Sequence, residues 1–118
     1  MPLPIFVFGS NLAGRHGAGA ALHARTKHGA QYGVGVGLTG CAYALPTKDA
    51  SLRSLPLAEI QRHVDDFLSL ALRLSNTPFH ITRVGCGLAG FTDTQIRPMF
   101  ANAPSNCYFY DPSWGQGI

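Results

Sequence analysis

The apolar positions of this chain fall into a few short runs and one long periodic stretch. Ile5-Phe6-Val7-Phe8 is a continuous run of strand formers, the pattern of a strand covered on both faces in a parallel sheet. It stops abruptly at Gly9-Ser10-Asn11. Leu57, Ile60, Val64, Phe67, Leu68, Ala71 and Leu74 recur at spacings of three and four, with Glu59, Arg62, His63, Asp66 and Arg73 on the other side. That spacing predicts an amphipathic helix from about Pro56 to Leu74, with Pro56 in its first turn, where a missing N–H costs nothing.

Phe79 to Val84, Cys41 to Pro46 and Cys107 to Tyr110 read as further strands, the second closed by its proline. Small residues from Gly17 to about His28 predict a closely packed helix ending at Gly29. Thr92 or Asp93 can cap a short helix through about Phe100, distorted by Pro98. Between Gln31 and Leu38, Tyr32, Val34, Val36 and Leu38 alternate with three glycines, either as a strand approached by another backbone or as an extended loop. Thr47 to Ser54 reads as an exposed polar segment and Asp111 to Ile118 as an irregular tail.

Strands alternating with helices imply an α/β fold, with a small, mostly parallel or mixed sheet, right-handed crossovers and flanking helices. A length of 118 residues fits one domain, residues 1–118, with no room for a second core. Charged residues make up only 13% and the formal charge is +3, which favours phosphates but falls short of a nucleic-acid-binding stripe. Cys41, Cys86 and Cys107 are odd in number and widely spaced, so they read as reduced, buried thiols rather than a disulfide or zinc framework. The remaining histidines, His23, His28, His63 and His80, have no recognisable ligand spacing, so neither a metal nor another cofactor is expected. Met1-Pro2-Leu3-Pro4 lacks a basic n-region and a long apolar run follows nowhere, which leads to the expectation of a cytoplasmic protein without a membrane partner.

Glycine is the exception in an ordinary composition, at 14 residues, and its placement points to chemistry. Gly9, Ser10 and Asn11 lead through Gly14 into Gly17-Ala18-Gly19, a strand-to-loop-to-helix passage whose N–H groups can point at phosphate oxygens while the helix dipole adds favourable potential. It is neither a Walker A loop nor a clean dinucleotide fingerprint. The alternative is that these glycines only allow close packing. Asn11 can hydrogen-bond a ribose hydroxyl or position water, or can satisfy its own turn. His16 can act as a base near neutral pH, and Arg15 and His16 are equally suited to solvent.

The second loop, Gly85-Cys86-Gly87-Leu88-Ala89-Gly90, follows a strand and can wrap a diphosphate, with Phe91 stacking on a base or sugar or serving as a core aromatic. Cys86 has no nucleophile signature and reads as a packing residue. Lys48 can meet a phosphate and Asp49 can serve in acid/base chemistry, or both can belong to a solvated turn.

At these residues the sequence resembles the macrodomain family of ADP-ribose-binding α/β modules, in particular its short, divergent phage and bacterial members. The pattern appears in the family's order as Val7 to Asn11, Gly14 to Ala21, Gly37 to Lys48 and Ile81 to Phe91. The resemblance implies a three-layer sandwich in which Asn11 contacts the distal ribose and Gly17, Ala18 and Gly19 line the first loop. Gly85 to Gly90 would wrap the diphosphate, with Phe91 beside the ribose or base. Two departures stand out: the first loop carries Arg15 and His16 where hydrolytic members often have an acidic side chain, and the extra first strand with its adenine-reading acid is absent. Adenine recognition would then fall to Asp111, Tyr110 or Trp114, and the shortened sheet would leave an edge that a second copy could cover.

Three functions follow. One is hydrolysis of an ADP-ribosyl linkage on a macromolecule or nucleotide, with water held at Asn11 and His16 as base. Another is a non-catalytic module that senses or sequesters ADP-ribose or an NAD-derived signal. A nucleic-acid accessory role is disfavoured by the modest charge and the lack of an aromatic-basic stripe.

Overall fold

The computed structural model describes residues 3–118; Met1 and Pro2, part of the N-terminal segment discussed above, lie outside the described residues. Strand β1 (Ile5–Asn11) is the centre of a five-stranded sheet. It pairs in parallel with β3 (Ala42–Lys48) on one side and β4 (Phe79–Ile81) on the other. Strand β2 (Gly37–Thr39) adds antiparallel to β3, and β5 (Cys107–Phe109) adds parallel to β4, giving the order β2-β3-β1-β4-β5. Helix α1 (Gly19–Lys27) connects β1 towards β2, α2 (Leu57–Arg73) connects β3 to β4, and α3 (Asp93–Ile96) runs into a 3-10 turn over Arg97–Phe100. The result is a three-layer α/β sandwich with a mixed, mostly parallel sheet.

The apolar run of β1 divides by strand alternation. Val7 faces α2, where Ile60, Val64, Phe67 and Ala71 meet Leu45, Phe79 and Ile81 in the larger core. Phe67 lies at its centre, with ring centroids 4.9 Å from Tyr43 and 5.3 Å from Phe79. Phe6 and Phe8 face α1, where Ala24, Ala30, Ala42 and Ala44 form a thinner core of small side chains. Helix α1 is thus held by close approach rather than by a broad apolar stripe. His16 enters this thin layer: it is fully buried, edge-on to Phe8 at 5.2 Å and to Tyr32 at 6.0 Å, and neither ring nitrogen has a hydrogen-bond partner.

Several boundaries differ from the expectations, each for a local reason. β3 does not close at Pro46 but continues to Lys48; the ladder with β1 shifts register between Ser10 and Asn11, opposite Pro46 and Lys48, the kind of irregularity that admits a residue without an N–H. β4 ends at Ile81 because Thr82 ties both its N–H and its hydroxyl to the Val7 carbonyl and Val84 turns back onto the Thr82 carbonyl. Thr92 makes a capping box with Gln95 at the start of α3.

The Gly33, Gly35 and Gly37 segment is mainly an extended loop; Gly33 and Gly37 take φ of +94° and +95°, and Gly35 is dictated by main-chain contact with the loop after β1. A Cβ on Gly35 would lie 2.2 Å from the Asn11 carbonyl oxygen, and one on Gly14 would lie 2.2 Å from the Gly33 carbonyl carbon at a φ of +70°. The tail is also more ordered than expected. Trp114 is buried against Phe100 and Phe109, and its indole N–H donates to Asp93 Oδ1 at 2.8 Å.

Two stability measurements follow. Trp114→Ala should lower unfolding free energy in urea by about 3–5 kcal/mol, the range for truncating a buried large aromatic, and a change under about 1 kcal/mol would place the tail outside the cooperative core. Burial holds His16 below its ordinary pKa of 6.5, an effect that nearby Arg25 reinforces and the Val34 backbone partly offsets. The unfolded chain therefore takes up a proton first as pH falls through 6.5, so His16 contributes stability above that pH that is lost on acidification. His28, His63 and His80 shift in the same direction. Urea midpoints should fall from pH 7.5 to pH 5.5, and His16→Leu should make that fall shallower.

Candidate functional site

Because α1 and α2 cover opposite faces, the chain leaves β1 towards one face and leaves β4 towards the other. The strand ends between them splay into a crevice, where open α/β sheets hold ligands. A cavity of about 760 Å³ lies there, lined by the loops that follow β1, β3 and β4. Gly9 is at its floor; a Cβ there would lie 3.4 Å from the Gly85 nitrogen and 3.5 Å from Thr47 Oγ1, so the two glycine loops meet directly.

On one wall stand Gly17, Ala18, Gly19, Ala20 and Ala21, the entrance to α1. Its N-cap residue, Ala18, offers no side-chain acceptor, and the first turn contains no acidic residue. The first N–H groups of the helix have no carbonyl of their own to reach, so they remain free to face an anion. On the other wall stand Gly85, Cys86, Gly87, Leu88 and Ala89. Cys86 N–H bonds to the Arg83 carbonyl and Gly90 N–H to the Gly87 carbonyl, which folds the loop into a turn. Among the described residues, the N–H groups of Gly85, Gly87, Leu88 and Ala89 have no such acceptor. Ser54 Oγ donates to the Ala89 carbonyl and fixes this loop to the segment after β3, where Ser54 bridges Lys48.

The electrostatics are one-sided. Arg15, Lys48 and Arg83 line the cavity, and among the described residues no Asp or Glu does. Arg83 is already engaged, with Nε and Nη2 on the Asp93 carboxylate at 2.9 and 2.8 Å and Asp111 at 3.6 Å. Its guanidinium, with the Trp114 N–H, holds the Asp93 carboxyl below the usual range. Arg15 and Lys48 are in no ion pair among the described residues. Tyr32, Leu52 and Leu88 add exposed apolar surface around the opening.

The structure sorts the residues singled out in the sequence. Gly9, Ser10, Asn11, Gly17, Ala18, Gly19 and Gly85 to Ala89 converge on the cavity, while Gly90 and Phe91 do not line it. Phe91 instead packs against the larger core near Gly85. Ser10 donates its hydroxyl to the Gly35 carbonyl. The Asn11 side chain is occupied at both ends, Nδ2 donating to the Arg15 carbonyl and Oδ1 accepting from the Arg15 N–H, each at 2.9 Å. It clamps the first turn of the loop. His16 is not solvent-facing, nor does it line the cavity; its ring points into the thin core instead.

Asp49 is likewise consumed locally, its carboxylate accepting from Ser51 and Arg53 N–H at 2.8 and 3.0 Å. Cys86 is half-buried, and burial with nearby Asp93 pushes its thiol pKa up, so it stays protonated near neutral pH. Of the residues considered for adenine, Trp114 belongs to the core, Asp111 accepts from Ser113 N–H, and Tyr110 lines a separate cavity. Cys107 is buried as expected, while Cys41 and Cys86 are half-buried. Thr47, Thr82, Arg83 and Tyr32 are cavity residues that the motifs did not reveal. Thr47, Thr82 and Arg83 are signalled in the sequence only by position, at or beyond the ends of strands, and Tyr32 lies in the loop between α1 and β2.

No family model matches the chain, and no curated protein matches it. Among solved structures it is similar to a protein of unknown function from Bacteroides thetaiotaomicron, 14% identical, with a TM-score of 0.59 over 87% of this chain and 82% of that one. At that identity the likeness is one of fold: the three-layer α/β sandwich is shared by an independently solved structure.

Proposed function

We propose that the cavity binds a phosphate-bearing nucleotide, with ADP-ribose or a derivative as the first ligand to test. The observation that supports this is the meeting of two separate sets of free main-chain N–H groups, from the start of α1 and from Gly85 to Ala89, in one cavity without a carboxylate. Main-chain donors at glycine turns and helix starts suit phosphate oxygens, which need several donors at short range. Arg15 and Lys48 supply charge that no acidic partner cancels. A volume of about 760 Å³ is in the range of sites that enclose a small molecule. Tyr32 and Leu88 at the opening suit a base or sugar beyond the phosphates. The order of the motifs, which resembles that of macrodomains, favours ADP-ribose among such ligands.

Binding is better supported than hydrolysis. Asn11 has both ends of its amide engaged, His16 is enclosed in the core, and the Cys86 thiol is held protonated. The side chains that reach the cavity therefore favour holding an anion over moving a proton, the behaviour of a module that senses or sequesters its ligand, free or attached to a macromolecule.

Gly87 offers a clean test because a Cβ there meets nothing within 4 Å and its backbone is not in the left-handed region. Gly87→Val should leave the melting temperature unchanged while weakening calorimetric binding of ADP-ribose, ADP or NAD at least about ten-fold, a loss of about 1.4 kcal/mol. Lys48→Ala should weaken binding in a salt-dependent way. Incubation with ADP-ribosylated protein should give capture without release. Undiminished affinity in Gly87→Val would overturn the reading, and steady release abolished by Asn11→Ala would restore the hydrolase.

A further inference from the structure

At the other end of the sheet, where α1 finishes, His23 and His28 bring their Nε2 atoms to 3.2 Å. Their ring centroids are 5.0 Å apart at an interplanar angle of 65°. Both rings are oriented by Phe6, which is itself buried: His28 lies flat on it, with centroids 4.4 Å apart and planes 6° from parallel, and His23 meets its edge at 5.3 Å. The pair is therefore a positioned one. Helix α1 supplies His23 from its middle, and the turn closed by the Ala30 N–H on the Ala24 carbonyl brings His28 back beside it.

That geometry has a chemical meaning. Two imidazole nitrogens on one first-row ion at about 2.0–2.1 Å each stand about 3–3.4 Å apart for ordinary coordination angles. The observed separation lies within that range. Among the described residues no third His, Cys, Asp or Glu joins the pair in a ligand group. Its remaining positions would thus fall to water or to an incoming donor. Space for such a donor is at hand, because His28 also lines an apolar cavity of about 410 Å³ between the start of β1 and Tyr110.

We propose that His23 and His28 form a two-imidazole clamp for a divalent transition ion, Zn²⁺ or its neighbours Ni²⁺ and Cu²⁺, at the edge of this apolar cavity. Nitrogen donors select these ions over Mg²⁺ and Ca²⁺, which take oxygen. The clamp shares no residue with the nucleotide cavity, and the two readings stand or fall separately.

Calorimetric titration of the full chain with ZnCl₂ tests it, with nitrogen-detected NMR of the imidazoles as a second readout. One ion should bind per chain, shifting the Nε2 resonances of both His23 and His28, and MgCl₂ should give no heat. His23→Gln, at an exposed position, and His28→Ala should each weaken Zn²⁺ binding at least about ten-fold, whereas His63→Ala should not. Absence of zinc heat, or equal affinity in His23→Gln with its fold intact by circular dichroism, would overturn the clamp. The short contact would then be an imidazole–imidazole hydrogen bond and nothing more.

Discussion

The pairing of β1 with β3 on one side and β4 on the other is the constraint from which the rest of the molecule follows. Both connections are helical crossovers, and reversing their direction across β1 places α1 and α2 on opposite faces. Chain leaving β1 and chain leaving β4 must then part company. The crevice between them is a product of topology, present before any side chain is considered.

Glycine turns that opening into a site with exposed main chain. The loop after β1 is pressed from behind by the Gly33–Gly37 segment, with Gly14 on Gly33 and Gly35 on Asn11 and Leu12. That contact is backbone on backbone and leaves no tolerance for a methyl group. Asn11 spends its amide on this loop, Ser10 gives its hydroxyl to the Gly35 carbonyl behind it, and Thr82 at the end of β4 gives its hydroxyl to the Val7 carbonyl of β1. What these side chains do is hold the main chain in place, and the residues whose N–H groups are left free line the cavity. Arg83 shows the same division, since its pairing with Asp93 joins the second loop to α3 and, through the Trp114 N–H, to the tail.

The two cores differ in kind. The α2 side is a thick layer of large apolar groups, while the α1 side rests on alanines and on aromatic contacts to Phe6 and Phe8. A thin layer leaves gaps, which explains why imidazoles fill them: His16 at the upper end beside Phe8, and His28 at the lower end against Phe6. Each histidine is fixed by an aromatic neighbour, but only the lower one keeps an edge towards solvent and a second imidazole.

Local signals were enough for the sequence to determine the elements and their class. A run of strand formers, the apolar stripe of α2 and a cap at Thr92 or Asp93 each act over one or two turns of chain, so they are legible without a fold. The sequence likewise marked the glycine-rich passages from Gly9 to Gly19 and from Gly85 to Gly90, and left open whether they serve a ligand or close packing. It did not determine which polar groups remain for a ligand. Asn11, His16, Phe91 and Asp49 have donors, acceptors or surfaces that suit chemistry, yet each is absorbed by a neighbour, a turn or the core. Arg15, Lys48 and Tyr32, by contrast, come together only when strands distant in sequence pair. A side chain's type is written in the chain, but whether its hydrogen bonds are already spent depends on long-range packing, and that is decided by the tertiary structure alone.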